Sequence, residues 1–257
     1  MKIKIDFTKS AQENANDYYA KSKKLAQKVA GAGKAITELK SRLEKAQEGV
    51  LPKEKKVIRK VTEKEWYEKF HWFYTSNGML CIAGRDAHQN ELLNSKHFEE
   101  KDLFFHANIF GAAVTILQNG ATATADVREE AAQFAASYSS AWKEGLHVVD
   151  VYAMRRAQVS KSTSKGSLGT GSFLMSGERE WYRGMALGIA MFVKEERLHA
   201  VPRVTFEKIK SDIKKYVAVS LGKDKKSDAA KKISKVLEFD DLDTIMQQLP
   251  AGSFRVS

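Results

Sequence analysis

Between Ala11 and Val50, apolar positions recur at alternating spacings of four and three. They are Ala11, Ala15, Tyr18, Ser22, Leu25, Val29, Ala32, Ile36, Leu39, Leu43, Ala46 and Val50. Only Ser22 breaks the series, and the residues between are mostly Lys, Glu, Gln and Ala. This is a heptad seam, and it predicts a coiled-coil helix. Forty residues of helix would reach roughly 60 Å at 1.5 Å per residue. Gly31 and Gly33 weaken the helix locally, by about 1 kcal/mol each relative to alanine. Gly49 and Pro52 end it. The seam occupies two heptad positions, narrower than the stripe of a helix lying on its own core. No second heptad run of this length occurs. A facing helix from another molecule is therefore expected to dock along Leu25, Val29, Ile36, Leu39 and Leu43. A homodimer through the arm and a helix folded onto its own domain are the alternatives.

After Pro52 the pattern changes. Residues 53–60 form a basic linker leading into a short strand. Aromatic-rich segments then flank Asn77-Gly78, a strong hairpin signal. Gly84-Arg85-Asp86 begins a turn, with Asp86 as the cap of a short helix over 87–93. Residues 103–106 and 113–118 read as strands. Asp126-Val127-Arg128-Glu129 reads as an acidic capping box. It would open one helix with Val127, Ala131, Phe134, Tyr138 and Trp142 on a single face, closed by Gly145. Residues 148–159 are strand-like, 160–172 form a polar glycine loop, and 173–176 read as a strand. Helices are expected after Pro202, Ser227 and Asp240. The fold class is α+β: a mostly antiparallel sheet domain with a packed helix, preceded by a long coiled-coil helix and followed by small C-terminal helices. The expected domains are residues 1–52, 53–200 and 201–257.

Charge sharpens this division. Of the net +11, residues 1–65 carry +8, residues 66–183 carry −1 and residues 184–257 carry +4. A basic excess in the flanks favours a polyanionic partner. The single cysteine, Cys81, excludes an intramolecular disulfide framework. No run of 18 apolar residues exists, and the N-terminus lacks the apolar core of a secretory signal. The expected location is the cytoplasm, with no membrane partner.

Catalytic signatures are absent. There is no Walker A sequence, no G-x-G-x-x-G in strand–helix context, no H-E-x-x-H and no G-x-S-x-G. His88, His97 and His106 are spaced nine apart, which fits no metal template, so neither a metal nor another cofactor is expected. Asp86 with His88 and His106 is the one conceivable acid–base set, and no nucleophile accompanies it. The loop over 161–172 has the composition of a phosphate cradle without the nucleotide-binding spacing. Trp66, Trp72, Phe73 and Tyr74 are candidates for base stacking, although alternation would bury half of them.

Several phrases occur together in order: Gly84-Arg85-Asp86-Ala87 with Gln89-Asn90, His106-Ala107-Asn108 with Gly111-Ala112, Glu130-Ala131-Ala132, Ser140-Ala141-Trp142, Gln158-Val159-Ser160-Lys161, and Gly171-Ser172-Phe173 with Gly177. Together they resemble the NFACT-R domain. Upstream, Lys9-Ser10-Ala11-Gln12-Glu13-Asn14-Ala15 with Tyr18-Tyr19 and Lys23-Lys24 resembles the returning helix of the NFACT coiled coil. Lys225-Lys226 and Leu249-Pro250-Ala251-Gly252 are similar to the tails of archaeal members. The family's usual His-Ala-Asp followed by histidine reads here His106-Ala107-Asn108-Ile109-Phe110. The resemblance implies a non-enzymatic RNA-binding component of ribosome-associated quality control, acting on tRNA and the stalled large ribosomal subunit. It also implies that a separate NFACT-N-type protein supplies the N-terminal domain and the outgoing helix. On that reading Arg85, Arg155, Arg156, Lys161 and Lys165 would contact the RNA backbone. Lys53, Lys55, Lys56, Arg59 and Lys60 would add electrostatic attraction. The alternatives are an RNA-acting enzyme using Asp86, His88 and His106, or a DNA-binding stand-alone member.

Overall fold

The computed structural model describes residues 4–48, 65–163 and 166–257, with side chains throughout except at 41–48 and 163. The chain divides into two compact units, Met1–Thr62 and Glu63–Ser257.

In the first unit, the heptad seam forms one long helix, α1 (Ala11–Glu48). Its start is a capping box: the Ser10 amide donates to Glu13 Oε2 at 2.7 Å, and the Glu13 amide donates to Ser10 Oγ at 3.2 Å. Leu25, Val29, Ile36 and Leu39 are all exposed. Covering them would contribute about 1.5–3 kcal/mol per side chain.

The second unit is built on a six-stranded antiparallel sheet. The Asn77-Gly78 hairpin forms as read, joining β1 (His71–Tyr74) to β2 (Leu80–Ala83) with Gly78 at φ +84°. Then follow α2 (Ala87–Lys96), β3 (Leu103–Ala107), β4 (Thr115–Leu117), α3 (Ala125–Ser137), α4 (Ala141–Glu144) and β5 (Val148–Arg155). Four two-residue strands shape the next loop: β6 (Val159–Ser160), β7 (Ser162–Thr163), β8 (Gly166–Ser167) and β9 (Leu174–Met175). The long strand β10 (Glu180–Ala186) completes the sheet, whose order is β1-β2-β4-β3-β5-β10. One face packs Phe73, Phe105 and Val151 against Phe134 and Ala131 of α3. The other buries Trp72, Ile82, Phe104 and Met154 with Leu93 of α2 and Phe98.

The helix expected from Asp126 to Gly145 is two helices. Thr124, not an acidic residue, stands at the N-cap of α3, and no side-chain cap bond forms. The chain breaks at Tyr138, and Gly145 at φ +70° ends α4 instead. Tyr138 and Trp142 remain buried on the same side, which is why the periodicity runs through the break.

A second, four-stranded sheet was not legible. It holds β11 (Ile189–Lys194), β12 (Arg197–Pro202), β13 (Tyr216–Asp224) and β14 (Phe254–Val256) in the order β12-β11-β13-β14. The three expected C-terminal helices are α5 (Arg203–Ile209), α6 (Lys226–Leu237) and α7 (Leu242–Gln248). The boundary expected at 200/201 falls inside β12, and the sheet continues on both sides of it. Residues 201–257 are thus part of the second unit. Ile189, Val219, Ile233 and Phe254 share one core with α3.

Glu130 on α3 ties these layers together. It is fully buried, and its carboxylate accepts from the Ser76 amide at 2.8 Å, Thr205 Oγ1 at 3.0 Å and Lys208 Nζ at 2.8 Å. The Ser76 hydroxyl donates to the other oxygen at 2.5 Å. One side chain therefore links the β1–β2 turn, α3 and α5.

Candidate nucleic-acid interface

The β10 strand is an edge of the six-stranded sheet. Side chains alternate along a strand, so Arg179, at its start, Trp181 and Arg183 share a face while Glu180 and Tyr182 point the other way. Trp181 lies in register with Tyr152 of β5, which lies in register with His106 of β3. The three rings form a row across the sheet.

Guanidinium groups interleave with these rings. Arg179 stands 4.4 Å from the Tyr152 ring centre and 5.7 Å from that of Trp181, and Arg183 stands 4.0 Å from Trp181. These are cation–π distances. Asp150 Oδ2 accepts from Arg183 at 2.6 Å, which holds that guanidinium over the indole. The Gly184 amide, donating at 2.8 Å, and then Arg183 keep the Asp150 carboxyl below the usual range. Arg179 is exposed and makes no ion pair among the described residues. Trp181 keeps 36% of its surface open. The Trp181 ring, with Tyr152 buried behind it at 5% exposure, offers a stacking surface for an unpaired base, and the Arg179 guanidinium offers a charge for a phosphate.

The cations expected from sequence fall in several places. Arg155 is exposed and lines a shallow groove with Arg179 and Gln158 at one end of β5 and β10. Arg156 is folded down, donating to the Val159 carbonyl at 2.8 Å and lying over the Phe98 ring. Lys161 points inward, bonding to Glu91 Oε2 at 2.5 Å and the Gly169 carbonyl at 2.8 Å. This bond, with one from the Gly171 amide, holds the Glu91 carboxyl below its usual range. Gly171 sits at φ +77°, where a Cβ would stand 2.8 Å from that of Ala87, so the glycine loop packs closely on α2. Arg85 is half-buried and donates to the Phe70 carbonyl at 2.9 Å. Lys53, Lys55, Lys56, Arg59, Lys60 and Lys165 lie outside the described residues, as does the side chain of Leu43.

Among the stacking candidates, Trp72 and Phe73 are core residues, while Trp66 and Tyr74 are partly exposed. Trp66 already stacks on His97, with ring centres 4.2 Å apart. The three acid–base candidates have separate roles. Asp86 caps α2, accepting from the Gln89 amide at 2.8 Å, and His88 is an exposed residue of that helix. His106 lies in β3 against the Tyr152 hydroxyl at 3.3 Å, and burial pulls it down to about 4, so it is neutral near pH 7. No group of three His, Cys, Asp or Glu side chains suited to a metal occurs among the described residues. No helix among them is long and apolar enough to cross a membrane.

The Arg179–Trp181–Arg183 alternation was missed. Arg-x-aromatic-x-Arg at a spacing of two was visible, but only the register with the buried Tyr152 shows that the Trp181 ring is backed by the sheet.

An antiparallel sheet with arginine and aromatic rings alternating on an open edge has the layout of a nucleic-acid-binding domain. Residues 69–177 match the family described as NFACT protein RNA binding domain, and the chain belongs to the NFACT family. It is 34% identical over 211 residues to the archaeal Rqc2 homolog aRqcH of Methanocaldococcus jannaschii, covering 79% of this chain and 30% of that protein. It is 35% identical over 206 residues to the ribosome quality control complex subunit NEMF homolog of Drosophila melanogaster, covering 76% and 20%. Human ribosome quality control complex subunit NEMF matches at 31% identity, covering 66% and 16%. The chain thus spans less than a third of the length of these relatives. The family match ends just before β10.

Proposed function

We propose that the second unit is a non-enzymatic RNA-binding module of ribosome-associated quality control, contacting tRNA or rRNA of a stalled large ribosomal subunit. A base stacks at Trp181, which the buried Tyr152 ring backs from the core, and Arg179 and Arg155 meet the phosphates. Lys53, Lys55, Lys56, Arg59, Lys60 and Lys165 add long-range attraction. The observation that carries this reading is the open arginine–tryptophan edge on a domain of an RNA-binding family. Salt dependence tests it. For single-stranded RNA, log affinity falls with log salt by roughly 0.7 per phosphate contact. The Arg179→Gln variant, which removes a guanidinium that has no ion pair among the described residues, is expected to lose about 0.7 from that slope. Lys161→Gln should leave it nearly unchanged, because that ammonium faces Glu91. The reverse ranking would move the interface to the glycine loop.

The seam of α1 is, on the same proposal, the docking surface for a helix of an NFACT-N-type protein, through Leu25, Val29, Ile36, Leu39 and Leu43. A homodimer is the runner-up. Leu39→Asp places a charge in a dry seam at a cost of several kcal/mol. It should abolish the mixed complex in a pull-down between purified chains. A complex as tight as the parent's would remove the seam from the contact.

A further inference from the structure

The second unit contains a cleft of about 730 Å³, distinct from the β10 edge. Its walls come from segments far apart in sequence: Arg85 of the β2–α2 turn, Asn90 of α2, residues 111–113, Tyr138, Lys143, and the C-terminal Lys226 and Leu249. The volume lies within the range of small-ligand sites.

The charges are arranged unusually. Arg85 and Lys226 are both half-buried, and neither makes an ion pair among the described residues. Each bonds to neutral acceptors: Arg85 to the Phe70 carbonyl and to Gln247 Oε1 at 3.3 Å, Lys226 to the Leu249 carbonyl at 2.8 Å. Burial, and then the Arg85 charge, pulls Lys226 below the usual lysine range. Lys143 adds a third cation at the exposed rim. Of the two carboxylates there, Asp86 is occupied as the α2 cap, and Asp243 is exposed on α7.

The floor carries an unmet polar atom. The Arg85 Nε is buried without a hydrogen-bond partner among the described residues. His71 is 8% exposed, is stacked on Tyr138 with ring centres 4.1 Å apart and meets the Gln248 side chain. Burial, with the Arg85 and Lys226 charges, holds His71 well below the ordinary range, so it is neutral near pH 7. Two half-buried cations without counter-ions, one of them with a buried Nε that lacks a partner, constitute an incomplete site. Phe110, the residue before the lining residue Gly111, is 97% exposed, which leaves its ring free to stack.

We infer that this cleft binds a phosphate-bearing ligand of mononucleotide size, its phosphate between Arg85 and Lys226 and its base against Phe110. A phosphate supplies charged acceptors where the Arg85 guanidinium and the Lys226 ammonium have only neutral ones, and one dianion neutralises both. The ligand is either a free nucleotide or the phosphorylated end of an RNA strand.

Calorimetric titration of the full chain tests this, using inorganic phosphate, AMP, and a trinucleotide with and without a 5′-phosphate. AMP should bind more tightly than inorganic phosphate. Lys226→Gln should weaken AMP by about tenfold or more, and the exposed Lys143→Gln by about threefold. Phe110→Ala should weaken AMP and leave inorganic phosphate unchanged. AMP binding at least as tightly as the phosphorylated trinucleotide assigns the free nucleotide. A phosphorylated trinucleotide that outbinds AMP assigns the strand end. The inference is overturned if none of the phosphorylated probes binds at millimolar concentration. It is also overturned if Lys143→Gln and Phe110→Ala, both surface changes, leave AMP affinity at the parent value. Because Trp181 lies elsewhere, a Trp181→Ala chain should retain AMP binding, which separates this site from the RNA-binding edge.

Discussion

Glu130→Ala is expected to destabilise the second unit by about 3 kcal/mol, because it removes a fully buried, hydrogen-bonded carboxylate. The carboxylate accepts four hydrogen bonds from two elements, the β1–β2 turn and α5, and so fastens both to α3. Its removal strands the buried Thr205 hydroxyl and takes the acceptor from the Ser76 amide. Lys208 recovers part of the loss by turning to solvent, since its side chain is already 38% exposed. Alanine's higher helix propensity offsets only a few tenths of a kcal/mol. For a domain of this size, the melting temperature should fall by roughly 6–12 °C. Glu130→Gln preserves the shape and should fall between the two. Denaturant unfolding of the full chain checks this, and a loss below about 1 kcal/mol would show that the network does not fasten the layers.

Much of the fold was legible where local chemistry and tertiary structure agree. The heptads gave α1, Asn77-Gly78 gave the hairpin, and Asp86 gave the start of α2. The second sheet was hidden for a specific reason. The β11–β12 hairpin turns on Glu195 and Glu196, both in the left-handed region at φ +52° and +62°. Such turns normally announce themselves with Asn or Gly, and a pair of glutamates gives no signal. β14 pairs with β13 from about thirty residues away, a contact that no local pattern encodes. The site was legible in kind but not in place. The basic residues suggested a polyanion, yet Arg156 and Lys161 are held by the protein's own acceptors. Register, which sets Trp181 beside Tyr152, and burial, which separates Trp72 from Trp66, appear only in three dimensions.

The claim that RNA lies on the β10 edge makes Trp181→Ala the most damaging exposed substitution for binding. Stacking contributes about 1–3 kcal/mol per base, and the indole also carries the Arg183 guanidinium above it. Trp66 is the matched control: it is exposed to a similar extent, at 41% against 36%, and sits beside His97 rather than among arginines. The decisive measurement is the affinity of the full chain for a short single-stranded RNA at fixed salt, for the parent, Trp181→Ala and Trp66→Ala. The structure predicts a loss of about tenfold or more for Trp181→Ala and less than about twofold for Trp66→Ala, with both variants folded by circular dichroism. Parent-like affinity in Trp181→Ala, or the larger loss in Trp66→Ala, would contradict it.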